Sequence, residues 1–128
     1  MVSMREIKFR GWDATGQKGW VFGDLVHNKK VTRTGLEDRV MVGGYEVVPE
    51  SVGLISGLKD YNGKDIYLGD IVKWSKNGKK HLVIFRAGMF YASVEEFNEG
   101  IHGGFPLWYL CEKEQQCCIV GNIYENKN

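Results

Sequence analysis

No stretch of this 128-residue chain stays apolar for anything near the length of a membrane span. Its start also lacks the charged-then-apolar pattern of an export signal. The expected setting is therefore the cytoplasm, with no membrane contact. Charge of one sign is missing too: 17 Lys and Arg stand against 16 Asp and Glu, a formal net charge of +1. No long-range field draws such a chain to nucleic acid or a lipid surface, so any electrostatic attraction has to come from a local patch. Proline is down to two residues and cysteine to three, Cys111, Cys117 and Cys118. That odd count includes a vicinal pair, ill suited to a disulfide, and has no second ligand pair for structural zinc. Reduced thiols of a cytosolic protein are the expectation.

Catalytic and cofactor signatures are absent as well. Ser51, Ser56 and Ser93 lack the Gly-x-Ser-x-Gly elbow. Gly43-Gly44 and Gly103-Gly104 match neither the P-loop nor the dinucleotide fingerprint, and read as loops. His27, His81 and His102 have no partner at ligand or triad spacing. No cofactor is expected, and the chain does not read as an enzyme.

What the chain does have is glycine, 17 residues of it, with 43% hydrophobic and 12% aromatic residues. Many short strands joined by tight turns follow, so the fold class is all-β or mostly β. The length suits one domain, 1–128, with a subdivision at 4–55 and 56–128 possible. Arg5–Trp12 alternates with Ile7 and Phe9 on one face, and pairs as a hairpin with the strand beginning at Trp20. His27–Gly44 reads as a surface excursion, with short strands at Val31–Thr34 and Val40–Val42 around a turn at Gly35–Asp38. Tyr45–Val48 is a strand stopped by Pro49, which suits the first position of a helical turn. Asp70–Trp74, His81–Phe85 and Met89–Val94 form a meander. Phe105–Leu110 and a central strand Cys117–Tyr124 close it into a small SH3-like barrel, and Glu95–Gly100 is a polar excursion.

Val52–Trp74 is the densest in turn chemistry. Gly53 and Gly57 are placed for positive φ. Asn62-Gly63 is the strongest short hairpin signal, a type I′ turn with φ > 0 at both central residues. Gly69-Asp70 opens the next strand, and Asn77-Gly78 turns it. Asp60, Asp65 and Asp70 could form a carboxylate cluster for Mg²⁺ or Ca²⁺, and with it a metal-dependent enzyme. The spacing fails the EF-hand pattern, however, and the plainer assignment has them supporting their own turns. Lys73, Lys76, Lys79, Lys80 and Arg86 surround Asn77-Gly78, with Trp74 and Phe85 nearby. Such a basic hairpin can hold nucleic acid, or can simply be a solvated tip that deters edge pairing. Trp74 alternates with Lys73 and so belongs to the core. Trp12, Trp20, Trp108, Phe105 and Tyr109 supply core, with one or two left to face a self-association surface.

Three segments together resemble the YopX family: Arg5-Glu6-Ile7-Lys8-Phe9-Arg10-Gly11-Trp12-Asp13, the run from Val52-Gly53 through Ser56-Gly57-Leu58-Lys59-Asp60 to Gly69-Asp70-Ile71-Val72, and Val120-Gly121-Asn122-Ile123-Tyr124-Glu125-Asn126. Their order and spacing carry the resemblance over nearly the whole chain from Met4. Gly11, Ser56 and Leu68 stand where the family usually has Ala, Thr and an acid. The resemblance implies a phage or prophage accessory protein in a bacterial cytoplasm and supplies no activity. The expected role is a non-enzymatic binding or assembly module, a homo-oligomer acting on a protein partner of phage or host. Nucleic-acid binding through residues 73–86 is the alternative.

Overall fold

The computed structural model describes residues 7–76, 78–94, 104–113 and 117–125. It is β-rich, as the glycine-punctuated sequence requires. The chain divides into two compact units, Met1–Ile55 and Ser56–Asn128.

In the first unit, β1 (Phe9–Trp12) and β2 (Trp20–Gly23) form the expected antiparallel hairpin, with Trp12 opposite Trp20. Their rings meet edge to face at 5.2 Å, the favoured aromatic arrangement. The connecting loop is organised by Asp13, whose carboxylate accepts from the Thr15 hydroxyl at 2.6 Å and from the Lys18 N–H at 3.1 Å. The inward face of β1 differs from the alternation read in the sequence. Ile7 is 68% exposed, while Arg10 is buried. The reason is that the Arg10 guanidinium lies over the Trp20 ring at 4.4 Å, so its charge is buried against an aromatic face.

The excursion expected at His27–Gly44 is instead a long two-stranded arm. β3 (Leu25–Thr32) and β4 (Gly35–Val42) pair along their full eight residues, from Leu25 opposite Val42 to Thr32 opposite Gly35. The reversal falls at Arg33-Thr34 and not at Gly35–Asp38. Gly35, with φ of 130°, provides the strained position, and the Thr32 hydroxyl donates to the Gly35 carbonyl. β4 then turns through Gly43-Gly44, both at positive φ, into β5 (Tyr45–Val47), giving the order β3-β4-β5. A side chain at Gly43 would fall 2.3 Å from the Phe22 carbonyl oxygen, so this turn is closed to anything but glycine. Pro49–Ser51 forms a single 3₁₀ turn. Val21, Val42 and Val47 make the core, with Phe9, Leu25, Val40 and Val52 against them. β6 (Gly53–Lys59) begins in this unit, with Gly53 and Leu54 paired to Arg10 and Phe9. Gly57 has the expected positive φ, and Gly53 does not.

In the second unit, β7 (Asp65–Tyr67) follows β6, and a five-stranded antiparallel sheet is built from β8 (Asp70–Trp74), β9 (Lys79–Arg86), β10 (Met89–Val94), β11 (Gly104–Pro106) and β12 (Cys117–Asn122). The meander β8-β9-β10 is present. The order is β11-β10-β9-β8-β12, however, so the two closing strands add at opposite edges and the sheet is open instead of barrel-closed. Two expectations for this end need correction. The run expected as a strand to Leu110 leaves the sheet after Pro106 and becomes a helical segment ending in a π-helical turn, Tyr109–Lys113. Leu107 and Leu110, both fully buried, are three residues apart, and helical geometry puts that spacing on one face. β12 is an edge strand and not a central one. The turn at Asp60 caps part of that edge: the Tyr61 N–H donates to the Cys117 carbonyl at 2.7 Å, and the Ile119 N–H donates to the Asp60 carboxylate at 3.0 Å. The excursion expected at 95–100 and the turn residue Asn77 lie outside the described residues.

Candidate functional site

Asp60 closes the turn between β6 and β7. The Asp60 N–H donates to the Lys64 carbonyl and the Gly63 N–H to the Asp60 carbonyl, each at 2.9 Å. One carboxylate oxygen accepts from the N–H groups of Asn62 and Lys64 at 2.9 Å each, and the other from Ile119. Gly63 has φ of 81°, but Asn62 keeps negative φ. The turn is therefore a wider loop with one left-handed glycine, not the type I′ turn expected from Asn-Gly, because the Asp60 side chain holds the Asn62 N–H and favours an Asx turn. Asp65 pairs with Lys59 at 2.7 Å on the surface. Asp70, almost fully buried, accepts from the Tyr67 N–H at 2.8 Å, just after Gly69 with φ of 95°. The three aspartates are thus occupied with three separate structural contacts. Among the described residues, no three His, Cys, Asp or Glu side chains gather as a metal-binding group.

A hollow of about 670 Å³ lies beside the Asp60 turn, lined by Gly57 to Tyr61, Gly63 and Cys111. Cys111, on the π-helical turn, puts its sulfur 3.6 Å from that of Cys117 at the start of β12. A hydrogen bond from Cys111 holds the Cys117 thiol below its ordinary pKa, against the opposing effects of burial and of the nearby Asp60 charge. No sequence pattern marks this contact, since the two cysteines are six residues apart and meet only through the helical turn.

The basic residues divide into two groups. Lys73 on β8 stands directly opposite Lys80 on β9, both exposed, and Lys79 stands opposite Trp74. Lys76 lies 5.8 Å from the buried Trp74 ring. Gly78, with φ of 68°, completes the turn. Arg86 is at the other end of β9, stacked on Tyr91 at 4.8 Å, six residues or about 20 Å from Lys80 along the strand. Of the aromatic anchors, Trp108 is exposed, while Trp12, Trp20, Phe105 and Tyr109 are half-buried.

In the first unit, the β3–β4 arm carries Val31 and Leu36 as a directly opposed pair, 83% and 67% exposed. Behind them on the same face are the Lys29–Asp38 ion pair and the pair His27 and Val40. These last four, with Asn28, Arg39 and Pro49, line a hollow of about 420 Å³. The sequence shows only two short strands here, Val31–Thr34 and Val40–Val42, because the exposed faces of the arm carry no clean alternation.

These features define a β-rich protein of turn-supported short strands with an exposed two-stranded ladder. The family model for YopX protein matches residues 8–128, so the chain belongs to the YopX family. Its fold is similar to that in the crystal structure of protein EF1440 from Enterococcus faecalis, with a TM-score of 0.54, 20% sequence identity and 98% of each chain covered. No curated protein matches the sequence significantly. Among the described residues, no helix is long and apolar enough to cross a membrane.

Proposed function

We propose that the protein is a non-enzymatic accessory protein of phage or prophage origin, acting in the bacterial cytoplasm by assembly. It associates with a second copy of itself through the β3–β4 arm and, so assembled, presents a surface to a protein partner of phage or host. The observation that carries this reading is the opposed pair Val31 and Leu36, exposed together near the tip of an eight-residue ladder. β3 is the edge of its three-stranded sheet, and an edge strand with exposed apolar side chains is a template for pairing. The same strand from a second copy offers a self-complementary match about a two-fold axis. The carboxylates that catalysis could have used are engaged by backbone N–H groups and Lys59, which favours a binding role over a catalytic one.

Sedimentation over a range of concentrations tests this. The wild type should form a dimer or larger species, and V31E/L36K should sediment as a monomer that remains folded by circular dichroism. A wild type that remains monomeric at every concentration overturns the reading.

One observation favours a second reading, nucleic-acid binding. Lys73 and Lys80 are exposed and directly opposed, and like charges in that position destabilise a sheet unless an anion lies between them. A phosphate backbone would supply that anion.

A further inference from the structure

Cys111 and Cys117 are brought together by the tertiary structure, and their surroundings differ. Cys111 is a partly exposed residue that lines the 670 Å³ hollow, whose other walls include the exposed Lys59, Tyr61 and Gly63. Cys117 is 1% exposed and touches Cys111 at 3.6 Å. Cys118, next in the strand, projects to the opposite face of the sheet. One thiol can therefore meet a reagent from solvent, and a second, shielded thiol waits behind it.

We propose that Cys111 and Cys117 form a thiol–disulfide exchange site that takes a small-molecule disulfide into the hollow beside the Asp60 turn. The Cys111 thiolate attacks one sulfur of the disulfide R–S–S–R, forming a mixed disulfide and releasing one R–S⁻. The Cys117 thiolate then attacks the Cys111 sulfur, forming the Cys111–Cys117 bond and releasing the second R–S⁻. The two thiol protons pass to the two released thiolates. Two protein thiols are oxidised to one disulfide, and one small disulfide is reduced to two thiols. The sulfurs must close by about 1.5 Å to reach bonding distance. A volume of about 670 Å³ is within the range that holds small ligands. The bond would join the π-helical turn to β12, and so to the Asp60 turn that hydrogen-bonds Cys117 and Ile119.

The test treats the reduced full-length chain with oxidised glutathione and follows it by intact mass and peptide mapping. The wild type should lose two hydrogen atoms and show a Cys111–Cys117 cross-link with no lasting adduct. C117S and C117A should both stop at a glutathione adduct on Cys111, C111S should leave Cys117 unmodified, and C118S should react as the wild type does. Circular dichroism confirms that each variant is folded. A lasting glutathione adduct on wild-type Cys111, a cross-link to Cys118 or between copies, or no adduct on either Cys117 variant overturns the proposal. Because the arm variant V31E/L36K retains both thiols, failure here is independent of failure of the assembly reading.

Discussion

Asp60 is the residue on which the second unit's turn chemistry converges. Its buried carboxylate accepts three backbone N–H groups, two within its own turn and one from β12. Replacing it with Ala leaves those donors without their acceptor, at an expected cost of about 3 kcal/mol in urea unfolding. Asp65→Ala removes an exposed ion pair with Lys59, worth about 0.5 kcal/mol or less, and should cost less than Asp60→Ala. Equal effects from the two would refute the assignment of Asp60 as the hub. Asp13 makes a separate, pH-dependent prediction. The Thr15 hydroxyl first, then the Lys18 N–H, holds its carboxyl below the ordinary aspartate value. Its contribution to stability is therefore complete above that ordinary value and fades as pH falls through the lower folded value. The gap in melting temperature between wild type and Asp13→Ala should be constant near neutrality and should narrow below about pH 4. A gap that persists unchanged into acid contradicts this.

Among the elements, the tight hairpins show most clearly how far local sequence can be read. Asn62-Gly63 is the strongest type I′ signal in the chain, yet the turn it occupies is wider, because the Asp60 side chain competes for the backbone. Among the described residues, the turn with two positive φ values in this unit is Ala87-Gly88, at 52° and 80°, between Arg86 and Met89. Alanine is strained there. Ala87→Gly or Ala87→Asn should stabilise the protein by about 1 kcal/mol, measured as a higher urea midpoint at unchanged slope. The cost of left-handed Ala is overcome by the ladder on either side, which pairs six residues of β9 with β10. The β3–β4 arm was read as an excursion because its charged, exposed residues lack alternation; its pairing comes from register over eight residues, which no short window displays. The helical segment after Pro106 was partly legible: Leu107 and Leu110 are at helical spacing, although the aromatic run around them favoured a strand.

For the whole molecule, a net charge of +1 bears on the nucleic-acid reading. With no overall field, binding would rest on the local pair Lys73 and Lys80. Affinity should then fall with salt at a logarithmic slope of about −2, as two phosphate contacts predict, and K73A/K80A should remove that slope. A steeper slope, or one unchanged in the variant, places binding elsewhere or excludes this surface. Composition, turn residues and three ordered motifs were enough for a β-rich chain of the YopX family, because glycine frequency and strand alternation are local properties of the backbone. The sequence also located the turn residues Gly63, Gly69 and Gly78 and the buried side of Trp74. Only the tertiary structure decided that the C-terminal sheet is open, since strand order depends on which distant edges meet. Only there does the Asp60 carboxylate reach the Ile119 N–H of β12, and only there do Cys111 and Cys117 touch. Each of these joins segments whose approach is set by packing, and no spacing along the chain encodes it.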